Sequence, residues 1–249
     1  MEGKIGLFDS GLGGLSILKE MVKVLPNEDY LFYEDSINNP YGNKTEEELL
    51  EITSKIVDYL LDNNCKIIVI ACNTATTSCM KKLREKYPNT IFIGTVPAIK
   101  LACDNNYKNI INFSTPYTQN SKRVHELIEE NKTPDQTIYN ISGENLANLI
   151  ELDKKDEIEI LLNKLLSEYK DKVDALVLGC THYSLIKEEI NKVLPNTTLL
   201  DGTVGISKET KRQLELHNLL NTKDTKGTIK IVNSKDKSLI DRSIEILKK

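Results

Sequence analysis

Short apolar runs rich in Ile and Val recur along the chain at Lys4–Phe8, Tyr30–Tyr33, Lys66–Ala71, Thr90–Gly94, Asn109–Phe113, Thr137–Ile141, Ala175–Gly179, Thr197–Leu200 and Thr228–Val232. Charge-studded stretches of helical period separate them, among them Glu46–Leu61, Thr76–Lys86, Gln119–Glu130, Ile158–Tyr169, Tyr183–Val193 and Lys208–Leu220. Strand and helix alternating at this spacing predict parallel sheets covered by helices, an α/β fold. Ile67-Ile68-Val69-Ile70 is apolar on both alternations, as a strand buried on both faces requires. Leu25-Pro26-Asn27 and Leu194-Pro195-Asn196 read as helix stops of one form, and no low-complexity tract interrupts the pattern.

The two halves resemble each other. Ile67–Thr74 and Asp174–His182 each run from an apolar strand through a small residue and a cysteine to small polar residues that open a helix. Ile5–Ser10 and Ile110–Thr115 match in the same way, at a nearly equal offset. This predicts two similar α/β domains, with residues 1–97 plus 208–249 in the first and residues 98–207 in the second. The breaks at Val96-Pro97 and Asp201-Gly202 set those boundaries.

With 249 residues, the chain suffices for one large domain or two small ones at a prior of roughly 150 residues each. Its 33 Lys and Arg against 37 Asp and Glu give a net charge of −4, which offers no bulk cation excess for a nucleic acid or an anionic membrane. No apolar run approaches the ~18 residues of a membrane span, and Met1-Glu2-Gly3-Lys4 leads directly into a strand-like run. The expectation is a cytoplasmic globule. An odd number of cysteines (Cys65, Cys72, Cys79, Cys103, Cys180) fits free thiols better than a disulfide framework.

The candidate chemistry sits at the carboxyl ends of the strands, where helix N-termini offer free amides and ligands bind in open α/β sheets. Asp9-Ser10, Cys72-Asn73-Thr74, Ser114-Thr115 and Cys180-Thr181-His182 each end a predicted strand and open a helix. Together they offer two thiols, an acid, an imidazole and hydroxyls, a set suited to a small anionic substrate. Asp9-Ser10-Gly11-Leu12-Gly13-Gly14 is neither a dinucleotide fingerprint, since Ser16 stands where the third glycine belongs, nor a Walker loop, since no Lys-Ser/Thr pair follows. Its glycines read as a tight turn. Structural zinc and dithiol redox chemistry both favour paired cysteines a few residues apart, which are absent; a three-ligand site of Cys72, Cys180 and His182 is the zinc alternative. Cys65, before a strand, and Cys79 and Cys103, within helical stretches, read as packing residues. His125 and His217 read as exposed positions on helices.

Four segments carry a family resemblance: Phe8–Leu15, Pro40-Tyr41-Gly42, Ala71–Thr76 and Leu178–Tyr183. In order and spacing the chain resembles the cofactor-independent aspartate/glutamate racemases, and glutamate racemases in particular, from about residue 4 to 220. The resemblance implies two pseudo-two-fold-related α/β domains with the active site at their interface. It also implies proton exchange at the α-carbon of a free amino acid without cofactor or metal, and a homodimer. By the match, Cys72 and Cys180 are the catalytic thiols, with Asp9 and His182 assisting them. Ser10, Tyr41, Gly42, Asn73, Thr74, Thr76 and Thr181 hold the substrate. The weaker matches Ser114–Ser121 and Leu146–Glu151 add Thr118 and Glu151.

The chain departs from the family pattern at several points. Glu34 stands where glycine is usual, Asn112 and Ser114 replace small or apolar residues, Ser142-Gly143-Glu144 replaces Ala-Cys-Pro, and Ser184 replaces a proline. Three readings follow. The first is a glutamate racemase supplying D-glutamate for peptidoglycan. The second is a racemase of another amino acid, aspartate foremost. The third is a weakly catalytic relative that serves as a binding or regulatory protein.

Overall fold

The computed structural model describes residues 3–248. In chain order the elements are β1 (Lys4–Asp9), α1 (Leu15–Val24), β2 (Tyr30–Glu34), α2 (Glu46–Asp62), β3 (Cys65–Ile70), α3 (Asn73–Lys86) and β4 (Phe92–Gly94). There follow α4 (Ile99–Asp104), β5 (Asn109–Ser114), α5 (Pro116–Gln119), α6 (Lys122–Asn131), β6 (Thr137–Ser142), α7 (Leu146–Glu151), α8 (Lys155–Leu166), β7 (Ala175–Gly179), α9 (Lys187–Val193) and β8 (Thr198–Leu200). The chain closes with α10 (Thr203–Leu216), β9 (Ile229–Asn233) and α11 (Leu239–Lys248).

These elements form two compact units. One comprises the chain up to Thr95 and the segment from Thr203; the other is Val96–Gly202. Every strand pairing among the described residues is parallel. The first unit's sheet runs β4-β3-β1-β2-β9 and the second's β6-β5-β7-β8. Read from the other edge, the second sheet is β8-β7-β5-β6, which repeats the order of the first without β9. The likeness between the sequence halves is therefore one of topology as well. Asp9 and Ser114 are the last residues of the two equivalent strands β1 and β5, and Cys72 and Cys180 follow the equivalent neighbours β3 and β7.

Burial explains the strand pattern. Ile67, Ile68, Val69 and Ile70 are fully buried, as a central strand with helices on both faces demands. In the second unit, Ile111, Phe113, Leu176 and Leu178 pack on one face of the sheet against α7, α8 and α9. Ile110 and Val177 pack on the other against α4 and α6.

Several helix limits differ from the sequence expectation, each for a local reason. The helix expected from Thr76 starts at Asn73, with Cys72 as its N-cap residue; its first turn is polar and carries no apolar period. Gln119–Glu130 is two helices. The Thr115 hydroxyl caps α5 with Pro116 at its first position, and the Ser121 hydroxyl accepts from the Val124 amide to start α6. Ile158–Tyr169 begins at Lys155 and ends in a 3₁₀ turn over Ser167–Tyr169. Tyr183–Val193 is a 3₁₀ turn, Thr181–Ile186, followed by α9. Lys208–Leu220 is α10, starting at Thr203 and ending at Leu216, so His217 lies in the turn beyond it rather than on a helix. Cys65 opens β3 rather than preceding it.

β9 and α11 extend the first unit, and Glu34 anchors them. This fully buried side chain accepts from the Ser243 hydroxyl of α11 at 2.6 Å and from the Asn233 amide of β9 at 3.0 Å. Glu34 is thus a docking point for the carboxy-terminal strand and helix.

Candidate active site

In the first unit, the chemistry gathers at the carboxyl ends of β1 and β3. Asp9 is fully buried, and its Oδ1 accepts from the Ser10 amide at 2.8 Å. Cys72, buried at 5% exposure, is the N-cap residue of α3 in an extended conformation, with its Sγ 4.0 Å from Ser10 Oγ. Asn73, Thr74 and Thr76 form the buried first turn of α3, at the positive end of the helix dipole. Asn73 Oδ1 is buried with no hydrogen-bond partner among the described residues. The Thr76 hydroxyl donates to the Ile70 carbonyl at 3.3 Å and accepts from the Thr95 amide at 3.1 Å, stitching β3 to the end of β4.

Tyr41 is buried in the 3₁₀ turn Tyr41–Asn43, and its hydroxyl donates to Asp35 Oδ2 at 2.7 Å. Burial, then the Asp35 charge and hydrogen bond, then the charges of Cys72 and Asp9 hold the Tyr41 phenol well above its ordinary pKa. It is a hydroxyl fixed on Asp35, not a base. Gly42 follows it with open space where a Cβ would stand. Asp35 was not among the candidates from sequence. It holds Tyr41 through its carboxylate and Asp9 through its backbone, its amide donating to the Asp9 carbonyl at 2.9 Å. The signal was the polar Asp35-Ser36 pair beside Glu34.

In the second unit, Cys180 ends the β7 run and is the N-cap residue of the Thr181–Ile186 turn; the residue is 7% exposed and its Sγ lies 3.9 Å from His182 Nδ1. The other ring nitrogen of His182 lies 2.6 Å from Glu151 Oε1 at the last residue of α7. Burial pulls the His182 imidazolium down, but its hydrogen bonds to Cys180 and Glu151 and their charges outweigh burial and leave its pKa well above the usual value. Glu151, the weakest candidate from sequence, is therefore the partner of His182. Thr181 is buried in the first residue of the turn. Thr118 is buried in α5, where the Thr115 hydroxyl donates to its Oγ1 at 3.0 Å.

The room around Cys180 is set by glycine. A Cβ on Gly179 would lie 2.6 Å from Ser114 Cβ and 3.0 Å from the Phe113 carbonyl oxygen, so no side chain fits where β7 hands over to Cys180. The cysteines read as packing residues are buried and unpaired, and burial pushes the Cys65 thiol up to about 11. Among the described residues, no group of three or more His, Cys, Asp or Glu could hold a metal ion. No helix among them is long and apolar enough to cross a membrane.

Residues 17–206 match the Asp/Glu/hydantoin racemase family. Glutamate racemase of Clostridium botulinum (strain Alaska E43 / Type E3) is 43% identical over 250 residues, covering 98% of this chain and 95% of the relative. That of Clostridium novyi (strain NT) is 42% identical, covering 98% and 94%. Among solved structures, glutamate racemase from Francisella tularensis in complex with D-glutamate superposes with a TM-score of 0.85 at 28% identity, covering 99% of this chain and 94% of that one. The Escherichia coli glutamate racemase, in complex with L-glutamate and the activator UDP-MurNAc-Ala, superposes at 0.82 with 29% identity, covering 97% and 96%. With a family match over most of its length and relatives above 40% identity over 98% of it, this chain belongs to the Asp/Glu/hydantoin racemase family.

Proposed function

We propose that the chain interconverts L- and D-glutamate, without cofactor or metal, by moving the α-proton between two thiols, Cys72 and Cys180. One observation carries the reading: two sheets of like topology each place a buried cysteine at the same point, each beside polar groups that can steer a proton. Cys72 has Ser10 and Asp9, and Cys180 has His182 and Glu151. The relatives named glutamate racemase support glutamate as the substrate.

Inverting a stereocentre requires removing a proton from one face and delivering another to the opposite face. A thiol, with a reference pKa of about 8.5, reaches both protonation states near neutrality. The reading therefore demands that both thiols address one α-carbon from opposite sides. With the substrate's carboxylate and ammonium pinned, the α-proton of each enantiomer points to a different wall. Cys72 takes it from D-glutamate and Cys180 from L-glutamate. Asp9 assists Cys72, and His182, held by Glu151, assists Cys180.

Ser10, Tyr41, Gly42, Asn73, Thr74, Thr118 and Thr181 hold the substrate in this reading. The first-turn amides of α3 suit a carboxylate, and the orphaned Asn73 Oδ1 is an acceptor for the ammonium. Thr76 acts through the scaffold. Fixed donors and exclusion of water stabilise the carbanion-like charge that develops when the α-proton leaves. The product D-glutamate feeds peptidoglycan synthesis in the cytoplasm, where the five free thiols stay reduced. The protein acts as a homodimer, which sedimentation tests directly.

Circular dichroism of the purified protein with L-glutamate, and separately with L-aspartate, tests the reaction. The ellipticity decays to zero with glutamate and persists with aspartate. Decay with aspartate alone reassigns the substrate, and no change with either ends the racemase reading.

A further inference from the structure

Tyr183 belongs to the Cys180 half-site but has no part in the proton transfer described above. It is fully buried, and its ring packs on Phe113 with centroids 4.7 Å apart. Its amide donates to the Cys180 carbonyl at 3.0 Å, which closes the turn carrying Cys180 and His182. Its hydroxyl reaches across to a different segment and donates to the Gly143 carbonyl at 2.9 Å.

Gly143 starts the loop into α7. Its amide donates to the Ser114 carbonyl at 2.9 Å, and its carbonyl also accepts from the amide of Leu146, the first residue of α7, at 3.2 Å. A Cβ on Gly143 would overlap the Tyr183 hydroxyl. In this chain that close approach leaves room only for glycine at position 143. The last residue of α7 is Glu151, the partner of His182.

We propose that Tyr183 is a positioning residue for the Cys180 thiol, its hydroxyl joining the turn that carries Cys180 and His182 to the segment that carries Glu151. This rests on the two-thiol reading above. Cys180 and His182 share one turn and Glu151 lies on the other segment, so the 2.6 Å contact that fixes the His182 ring, itself 3.9 Å from the thiol, spans both. Proton transfer is steeply sensitive to such separations. The hydroxyl is suited to this role because burial, followed by the charge of Cys180, holds it well above the ordinary phenol value, so it remains a donor throughout the working pH range.

Tyr183→Phe in the full chain tests the proposal. Racemisation kcat/KM should fall about tenfold, equally in both directions because the equilibrium constant of a racemisation is fixed by symmetry. The deuterium isotope effects on kcat/KM should instead diverge. The effect with 2-deuterated L-glutamate rises and that with 2-deuterated D-glutamate falls, because only transfer at Cys180 has slowed. A second readout needs no turnover: alkylation of each thiol by iodoacetamide across pH, resolved by peptide mass spectrometry. The Cys180 profile should move and the Cys72 profile should not. Isotope effects that change alike or not at all, or an unmoved Cys180 profile, overturn the proposal. Gly143→Ala, which displaces the same hydroxyl, should shift the Cys180 profile alone and add little in the Tyr183→Phe background; full additivity would also overturn it. If the unaltered protein does not racemise glutamate, the proposed function fails, while the alkylation profiles still decide the role of Tyr183.

Discussion

His182 and Glu151, 31 positions apart in sequence, meet at 2.6 Å through Nε2 and Oε1, a contact that helps to hold the His182 imidazolium beside Cys180. Burial disfavours the imidazolium, but the hydrogen bonds to Cys180 and Glu151 and the Glu151 charge prevail, so the folded-state pKa is raised. With a raised value, the pair's stabilisation is complete below the unfolded histidine value of about 6.5 and is lost as pH climbs through the folded one. Glu151→Gln should therefore lower stability by about 1.5–3 kcal/mol at pH 6, with the deficit shrinking as pH rises. Urea melts at stepped pH check the sign, and a deficit that grows with pH contradicts it. Side-chain NMR should show His182 still protonated at a pH where half of a free histidine has lost its proton.

Each thiol serves one enantiomer in the proposed reaction, so the two cysteine variants should fail differently. Serine replaces a thiol with a hydroxyl of far higher pKa. Cys72→Ser and Cys180→Ser should each lose at least about 100-fold in racemisation, within the range of a general acid–base contribution. In deuterated water, Cys180→Ser should still exchange the α-proton of D-glutamate through Cys72, and Cys72→Ser that of L-glutamate through Cys180. Proton NMR on each pure enantiomer reads the wash-in. Equal exchange of both enantiomers by either variant, or full racemisation by both, removes the two-base assignment.

Glu34 ties β9 and α11 to the first sheet through Ser243 and Asn233. Ser243→Ala deletes a 2.6 Å hydrogen bond to a fully buried carboxyl group. It should cost about 1–3 kcal/mol, the range for a buried polar group left short of a partner. Denaturant melts measure it. Glu34→Gly should cost at least as much, because Ser243 and Asn233 then both lose an acceptor. A neutral Glu34→Gly would show that the docking contact contributes nothing.

Gly179→Ala inserts a methyl group 2.6 Å from Ser114 Cβ and 3.0 Å from the Phe113 carbonyl oxygen, one residue before Cys180. Backbone and a short side chain cannot swing aside as the end of a long one can. The variant should lose about 1–3 kcal/mol of stability by overpacking and most of its racemisation, since β7 must shift away from β5. Paired thermal melts and activity assays on soluble protein check both. Unchanged activity would mean that Cys180 tolerates displacement.

Much of this fold was legible in the pattern of apolar runs. A strand such as Ile67–Ile70, buried on both faces, has a signature that depends on few neighbours, and alternation with amphipathic stretches implies parallel sheets. The repeated strand-cysteine-polar form marked Cys72 and Cys180 as equivalent positions, because chemistry at helix N-termini is written in consecutive residues. Polar helix starts such as Asn73–Thr76 and Thr203 onward escaped the periodicity, since capping turns carry no apolar stripe. Only the tertiary structure brought Glu151 to His182, Asp35 to Tyr41, Tyr183 to Gly143 and Glu34 to Ser243. It also turned Thr76 toward the backbone of β3 and β4. Each of these depends on which strand lies beside which and which side chain is left without water. Local sequence specifies the elements and the residues at their ends, whereas hydrogen-bond partners between segments are chosen when packing removes solvent and every buried polar group must find a donor or acceptor within reach.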